Sequence, residues 1–331
     1  MEIPVHLIKV EDGDVVVEVG VFDTASLTFE EREVEAEKAL LQSFFNSHVH
    51  LADSVAMEPP QMPLDRLVGP GGYKFSVLQR AKKEEIVEAS RNSIVQAASA
   101  GTTSFCDFRE GGVDGLKLLK EADQYGRVVA LGRPGSIEEA EKILQIADGF
   151  GMSSVRDHDF SFLEELRTLA RKRKKIFAIH AGERDNQDVE KALALEPDIL
   201  IHMNQASSEN LKRAMEEMIP IVSCMRSNYL FGLENRSNYE RLAEYEVWAL
   251  GTDNVMLANP SILAELNFSA YIVNSHSVLR AAFKGFEIFK RKNAWLLMDL
   301  KEFRNSRDII STIVRRTTER NIVGVFDSLN L

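Results

Sequence analysis

Apolar and polar positions follow a regular rhythm along most of this chain. From about residue 40 onward, a short apolar run is followed by a polar turn and then by a stretch with helical periodicity. Such runs predict buried strands, and helices alternating with them predict a parallel sheet covered by helices. The predicted strands cover residues 41–48, 102–108, 127–131, 149–155, 176–180, 199–203, 219–224 and 247–251. Eight parallel strands are the number that closes a barrel, so the predicted fold class is α/β, a (β/α)8 TIM-type barrel.

The segments that flank this repeat have strand-like character. Residues 6–23 alternate apolar and polar positions around the turn signal Asp12-Gly13, which predicts a β-hairpin. A second β-like stretch, Ile322–Phe326, lies in the tail, and we expect it to pair with the hairpin in a small β layer. The predicted organisation is a β segment at 1–43, a barrel at 44–285 and a segment at 286–331 that returns to the β layer.

One connection between a predicted strand and the next helix is much longer than the others. Residues 57–73 follow the first predicted strand and contain Pro59, Pro60, Pro63, Pro70 and three glycines. A long irregular loop inside a compact barrel usually serves as a lid or a binding loop.

Composition narrows the function classes. Apolar residues make up 44% and charged residues 27% of the 331 residues, which is typical of globular proteins. With 40 Lys and Arg against 51 Asp and Glu, the formal net charge is −11, and an acidic surface disfavours nucleic-acid binding. No run reaches the roughly 18 apolar residues of a membrane span, and the first residues lack a signal-peptide pattern. Cys106 and Cys224 lie alone in apolar runs, so the sequence predicts a soluble cytoplasmic protein without a disulfide framework.

Imidazole and carboxylate groups recur at the carboxyl ends of four predicted strands. His48 and His50 close the first strand, and because side chains alternate along a strand, both point to the same face. His180 ends the fifth strand, His202 lies near the end of the sixth and Asp253 follows the eighth. Each alone is better explained as a hydrogen-bonded strand-end residue or a helix cap, but in a closed barrel these ends converge. Three imidazoles and one carboxylate there would form a site for Zn²⁺ or Fe²⁺ with a position open for water.

These residues stand in motifs that resemble those of a known family. The motifs are FNSHVHLADS, SAGTTSFCDF, FAIHAGE, PIVSCMRSN and WALGTDN, with weaker matches in FKGFEIF and IVRRTTERNI. Their order resembles the amidohydrolase superfamily, and within it the branch of cytosine deaminase and chlorohydrolase-like enzymes. The resemblance extends from about residue 40 to residue 266. It implies a metal-dependent hydrolase on a (β/α)8 barrel.

The resemblance also implies a ligand set. His48, His50, His180 and Asp253 match the metal ligands of the single-metal enzymes in this branch. Related two-metal enzymes carry a bridging lysine on strand 4, whereas the fourth predicted strand here reads GFGMSSV. One divalent metal ion is therefore expected, with Zn²⁺ favoured and Fe²⁺ or Mn²⁺ left open.

Catalytic roles follow from the same resemblance. Glu183 matches an acid that shuttles protons to the substrate, and His202 matches a histidine that polarises or orients the reacting centre. A divalent metal lowers the pKa of its water to near 7, and Asp253 can accept that proton. We therefore expect hydroxide to attack an sp2 carbon of a small nitrogen heterocycle, with loss of ammonia.

Substrate contacts are predicted at two turns. Arg109 and Glu110 follow the second strand at the end that would face a ligand. Arg226 and Asn228 follow the seventh strand in CMRSN, where the branch often carries a CPxSN-like turn that contacts substrate. Met225 replaces the usual proline, which leaves the shape of this turn open.

Two other functions would use the same residues. Hydrolysis of a cyclic amide, or removal of another leaving group, would need the same site, and an inactive relative would keep only the metal. Glu183 and His202 argue against the inactive relative, because it has no use for a proton shuttle. Homo-oligomerisation is an expectation from related barrels. Family members usually carry a larger β-sandwich than residues 1–43 supply, so the substrate is expected to differ accordingly.

Overall fold

The chain begins with antiparallel strands joined by a tight turn. The computed structural model describes residues 1–329. Asp12 and Gly13 both have positive φ, 49° and 86°, which matches the right-handed twist of the strands that they connect. The predicted hairpin is therefore confirmed, and further strands extend it. The strands of this part are β1 (Glu2–Glu11), β2 (Asp14–Asp23), β3 (Thr28–Glu31) and β4 (Lys38–Gln42).

A parallel sheet follows and curls into a barrel, as the sequence predicts. Its strands lie side by side in chain order, and each predicted strand has its counterpart within a few residues. Their side chains are mostly buried on both faces, which is why they read as continuous apolar runs. The strands are β5 (Phe44–His50), β6 (Thr102–Arg109), β7 (Val128–Gly132), β8 (Gly149–Met152), β9 (Ile176–Ala181), β10 (Ile199–His202), β11 (Ile221–Ser223), β12 (Trp248–Leu250) and β13 (Asp253–Asn254).

The barrel closes where β12 and β13 form one interrupted strand. β12 pairs with β11, whereas β13 pairs with β5. Residues 251–252 connect the two strands at the point where the sheet closes, which we call the seam. A Cβ atom at Gly251 would lie 2.7 Å from the Cβ of His48, so only glycine fits there. Thr252 donates its N–H to the carbonyl of His48 at 3.0 Å, and Asn46 bonds the Thr252 hydroxyl at 2.7 Å. This seam places Asp253 beside the histidines of β5.

Helices cover the outside of the barrel. Most of them bury one apolar face, as α6 does with Leu163, Leu166 and Ala170 where it packs beside β9, whereas α1 and α2 lie at the carboxyl end of the barrel. The helices are α1 (Leu64–Val68), α2 (Tyr73–Arg80), α3 (Lys83–Ser99), α4 (Gly112–Ala122), α5 (Ile137–Ile143), α6 (Phe160–Arg173), α7 (Val189–Ala194), α8 (Ser208–Glu216), α9 (Met225–Leu230), α10 (Arg236–Ala243), α11 (Ile262–Ser269), α12 (Ser275–Ile288) and α13 (Ile309–Arg316).

The flanking sheet unites strands from both ends of the chain. It adds β14 (Trp295–Asp299) and β15 (Ile322–Phe326), in the order β15-β14-β4-β1-β2-β3. The tail strand joins this β layer as predicted, but it pairs with β14 and not with the hairpin. The strand β14 lies outside the strands that the apolar pattern predicts. The boundary proposed at residue 285 falls inside α12, which packs against both the barrel and β2.

A cover segment, residues 57–82, lies over the carboxyl end of the barrel. The segment contains α1 and α2, so the loop predicted at 57–73 is partly helical. Its apolar side chains form a small cluster with Leu67 and Met256 at its centre, apart from the main core. Across residues 1–329, no helix is long and apolar enough to cross a membrane.

Candidate functional site

His48 and His50 project from the end of β5 toward the barrel mouth. Both are buried, with exposed fractions of 0% and 5%. His48 Nε2 lies 3.2 Å from His180 Nε2 at the end of β9. The Oδ1 atom of Asp253 lies 3.4 Å from His48 Nε2 and 3.6 Å from His50 Nε2. The structure thus brings together the four side chains in which the sequence suggests a metal site.

Carbonyl groups fix the orientation of two of these imidazoles. His50 Nδ1 donates to the carbonyl of Phe108 at 3.0 Å, and His180 Nδ1 donates to the carbonyl of Met152 at 2.8 Å. Because the proton of each ring is held at Nδ1, the Nε2 lone pair is free and points into the cluster. This arrangement is typical of histidines that ligate a metal.

The electrostatics of the cluster favour neutral His48 and His180 around a carboxylate anion. At His50, burial and Lys74 oppose the charged ring, but the carboxylates of Glu110 and Asp53 outweigh them and raise its pKa. Burial lowers the pKa of His48 to about 3. Burial and the neighbouring imidazoles hold the pKa of His180 well below its usual value. Burial opposes the charge on Asp253, but the imidazoles of His48, His202 and His50 outweigh it and hold that pKa well below normal. Neutral imidazoles and an ionised carboxylate are the ligand forms that a divalent cation requires, so these residues fit a metal ion.

A second group of possible ligand residues lies beside the three histidines and shares Asp253 with the proposed metal site. Glu183, His202 and Asp253 place one ligand atom each within 4.8 Å of one another. Glu183 Oε1 lies 3.6 Å from His202 Nε2. Burial raises the pKa of the Glu183 carboxyl, with a further contribution from the charge of Asp253. A carboxyl group with a raised pKa keeps a proton available closer to neutral pH, which suits a general acid.

A hydrogen-bond chain orients His202. Tyr239 donates its hydroxyl to Asn228 Oδ1 at 3.0 Å, which turns the Asn228 amide nitrogen toward His202. Asn228 Nδ2 then donates to His202 Nδ1 at 3.2 Å. Because Nδ1 accepts, the ring proton of neutral His202 is at Nε2, the atom that faces Glu183.

Two residues of the site have strained backbones. His202 has a φ of 77° and Asp253 a φ of 63°, in the left-handed region that residues other than glycine rarely adopt. Each such residue costs about 1–3 kcal/mol and persists only where surrounding structure enforces it. The strain turns both side chains inward at points where the strands end.

The two groups open onto one polar cavity of about 380 Å³. Its walls include four basic side chains, and among the described residues that line it none is Phe, Tyr or Trp. Arg156 and Arg184 form ion pairs with Asp185 and Asp65. The basic residues are Lys74, Arg133, Arg156 and Arg184.

Comparison with known sequences identifies the family. Residues 40–282 match the sequence model of the amidohydrolase family. The chain belongs to the amidohydrolase family. A protein of Archaeoglobus fulgidus, named provisionally as an aminohydrolase, is 42% identical over 324 residues and covers 96% of each chain. This amidohydrolase is therefore an enzyme that acts on carbon–nitrogen bonds, in a family that generally binds a divalent metal.

Solved structures of two deaminases share the fold. A zinc-bound adenosine deaminase of Xanthomonas campestris superposes with a TM-score of 0.75 at 16% identity, covering 98% of this chain and 91% of its own. A guanine deaminase of C. acetobutylicum with bound guanine superposes with a TM-score of 0.73 at 14% identity, covering 98% of both chains. At these identities the likeness establishes the fold alone.

The residues predicted to contact substrate in this amidohydrolase lie in different places. Glu110 lines the cavity, whereas Arg109, Arg226 and Asn228 are not among its lining residues. The buried Arg109 donates Nε to the carbonyl of Gly115 at 2.9 Å. Arg226 donates Nε to buried Glu265 of α11 at 2.5 Å. Asn228 orients His202.

Sequence reasoning missed the basic residues of the wall. Arg133 directly follows β7, so its place at a strand end was a signal of the same kind as that for Arg109. Arg133 donates Nε to the carbonyl of Gly151 at 3.3 Å and lines the cavity with 18% of its side chain exposed. No comparable signal marks Lys74, which reaches the cavity from α2.

Asn228→Leu is expected to lower kcat by about tenfold or more while leaving metal content unchanged, because residues that orient an active-site histidine carry effects of this size. The variant removes the donor to His202 Nδ1 and keeps the branched shape of the side chain. Steady-state kinetics and elemental analysis would measure the two quantities, with Asn92→Leu, at an exposed position of α3, as the control. An unchanged kcat would contradict the orienting role of Asn228.

Proposed function

We propose that this amidohydrolase is a single-metal aminohydrolase that deaminates an amine-bearing nitrogen heterocycle. The observation that carries the proposal is the placement of Glu183, with its raised pKa, beside His202 and Asp253 on one cavity wall. A hydrolase that releases ammonia needs an acid to protonate nitrogen and a base to take a proton from water, and these carboxyl groups supply both.

His48, His50, His180 and Asp253 would hold the metal, and we propose Zn²⁺. When bound, a divalent ion makes hydroxide available near pH 7 by lowering the pKa of water. A single ion is proposed because β8 carries no lysine to bridge two metals. His50 and His180 enter with their Nδ1 protons already bonded to carbonyls, so they offer Nε2 without rearrangement.

The residues around this centre would carry the proton transfers. Asp253 takes one proton from water as the water oxygen forms a bond to the sp2 carbon that bears the amine. Glu183 gives its proton to the adjacent ring nitrogen, and His202 donates Nε2–H to the oxygen that is added. The proton held by Asp253 then passes to the amine, and the hydroxyl proton of the added oxygen passes to the Glu183 carboxylate, which restores the acid. The C–N bond breaks, and ammonia leaves as a C=O group forms.

Asp253 is held ready for this role by a neighbour. Ser227 donates its hydroxyl to Asp253 Oδ2 at 2.6 Å, which leaves Oδ1 directed at His48 and His50. One carboxylate oxygen is thus anchored and the other faces the reacting centre.

Zinc-loaded wild-type protein is expected to release ammonia from at least one member of a panel of aminated purines, pyrimidines, pterins and triazines. The walls of the cavity carry both acidic and basic side chains, so the panel should include heterocycles with anionic, cationic and neutral substituents. Ammonia is measured by a coupled assay, and cyclic amides are screened in parallel by ring opening. Ring opening without ammonia release from any amine would replace deamination with cyclic-amide hydrolysis.

A further inference from the structure

A buried lysine anchors the cover segment. The charged residues of α2 are Arg80, which is exposed, and Lys74, which is 3% exposed. Lys74 Nζ lies 2.9 Å from Asp53 Oδ2 and 2.7 Å from Glu110 Oε1. Asp53 follows β5 and Glu110 follows β6, so the lysine bridges two strand ends of the barrel.

Lys74 is what balances the buried charge of Asp53. The Asp53 carboxylate is fully buried, and neither of its oxygens has a hydrogen-bond partner of good geometry. Among residues 1–329, Lys74 supplies the ion pair that this carboxylate forms. A buried carboxylate without a cation is strongly unfavourable. The pocket formed by Asp53 and Glu110, here called the Lys74 socket, therefore requires the ammonium group of Lys74.

Lys74 is linked through Glu110 to His50, a proposed metal ligand. Glu110 Oε1, which accepts from Lys74, also lies 3.2 Å from His50 Nδ1 and 3.5 Å from Arg133 Nη1. His50 Nδ1 is the atom whose proton is held by the carbonyl of Phe108. Lys74 therefore restrains the carboxylate that packs against the back of the His50 ring.

The other contacts of the cover segment are weaker. Asp65 of α1 pairs with Arg184, but both side chains are at least half exposed, and such pairs stabilise little. Glu58 donates its N–H to the carbonyl of Met256 at 2.9 Å, and apolar side chains of the segment pack in the small cluster around Leu67. The Lys74 socket is thus the buried polar anchor of this segment.

We propose that Lys74 is a positioning residue that latches the cover segment onto the barrel and, through Glu110, fixes the orientation of His50. The link to His50 rests on the proposed function, because it assigns His50 to the metal. When Lys74 is bound between Asp53 and Glu110, the latch is closed. Glu110 is then held against His50 Nδ1, and His50 Nε2 points at the other proposed ligands. With the latch open, Glu110 loses the nearer of its two cations and keeps Arg133 at 3.5 Å, so the support of His50 weakens.

The test compares Lys74→Met with Arg80→Met, which removes an exposed cation from the same helix. Hydrogen–deuterium exchange of residues 57–82 is measured on metal-free protein, and zinc affinity is measured by competition with a chromophoric chelator. Lys74→Met is expected to exchange faster in this segment and to bind Zn²⁺ about 10–100-fold more weakly, the usual effect of losing a residue that supports a ligand. Arg80→Met is expected to match wild type, and Lys74→Arg to recover part of the affinity.

Each outcome decides the proposal. Unchanged exchange and unchanged zinc affinity in Lys74→Met would overturn it, and faster exchange with wild-type affinity would overturn the link to His50. Should Lys74→Met fail to fold, Glu110→Gln tests the same link with an isosteric side chain, and wild-type zinc affinity there counts against the proposal. A wild-type protein that binds no zinc would overturn the proposed function, while exchange in the metal-free variants still decides the latch.

Discussion

Glu183→Gln is expected to retain its metal and to lose turnover by about 10²–10⁴-fold, the range that general acid catalysis contributes. Glutamine keeps the shape of the side chain but cannot give up a proton. Glu183 is not among the four proposed ligands, and its near neighbour is His202 Nε2 at 3.6 Å. The loss should therefore appear in kcat, with metal content measured by elemental analysis of the same sample.

Glu190→Gln is the matched control for this variant, because Glu190 is an exposed residue of α7 a short distance along the chain. It should behave as wild type in both measurements. Normal turnover by Glu183→Gln would show that another group supplies the proton. A loss of metal together with turnover would instead make Glu183 part of the metal site.

His48→Ala/His50→Ala is expected to reduce metal content from about one ion per chain to near zero and to abolish turnover. The double variant removes two of the three Nε2 donors that converge with Asp253, and neutral alanine offers no replacement ligand. Protein for elemental analysis is purified without added metal or chelator, and circular dichroism checks that the barrel folds.

The control replaces two histidines outside the cluster, His158 and His276, with alanine. His158 bonds the Ser153 hydroxyl at 3.0 Å and His276 is exposed, so neither is placed to bind the same ion. Near-zero metal in wild type, not recovered on adding zinc, iron or manganese, would refute the proposed mechanism. Equal metal in wild type and the double variant would place the ion elsewhere.

The barrel could be predicted because its strands obey a simple rule. Strands such as β9 are covered on both sides, so burial alone makes them short apolar runs between polar turns. β14 could not be predicted in this way. Its five residues lie between a basic run and a polar loop, and so short an apolar stretch has no periodicity that distinguishes a strand from a helix. Its partners, β4 and β15, are distant in sequence.

In the candidate site, too, some residues could be placed from the sequence and others could not. His48, His50, His180 and Asp253 could be placed together from sequence because each follows a strand whose end must reach the barrel mouth. The buried position of Lys74 depends on Asp53 and Glu110, which reach it only in the folded structure. Arg226 follows a strand in the expected way, yet buried Glu265 draws it away from the cavity. A strand end predicts where a residue lies, but its partner decides where the side chain points.

The position of β4 in the flanking sheet has a consequence for synthesis of the protein. β4 can pair with β1 soon after it leaves the ribosome, but its other edge must wait for β14, since Lys38 and Asp299 are 261 residues apart. At typical elongation rates of about 5–20 residues per second, that edge stays open for roughly 13 to 52 seconds. During this interval the nascent chain presents an unpaired edge with the apolar Ala39, Leu40 and Leu41, the kind of edge that invites pairing with other chains. Until β14 is synthesised, β4 is therefore an edge at which the nascent chain is open to pairing with other chains.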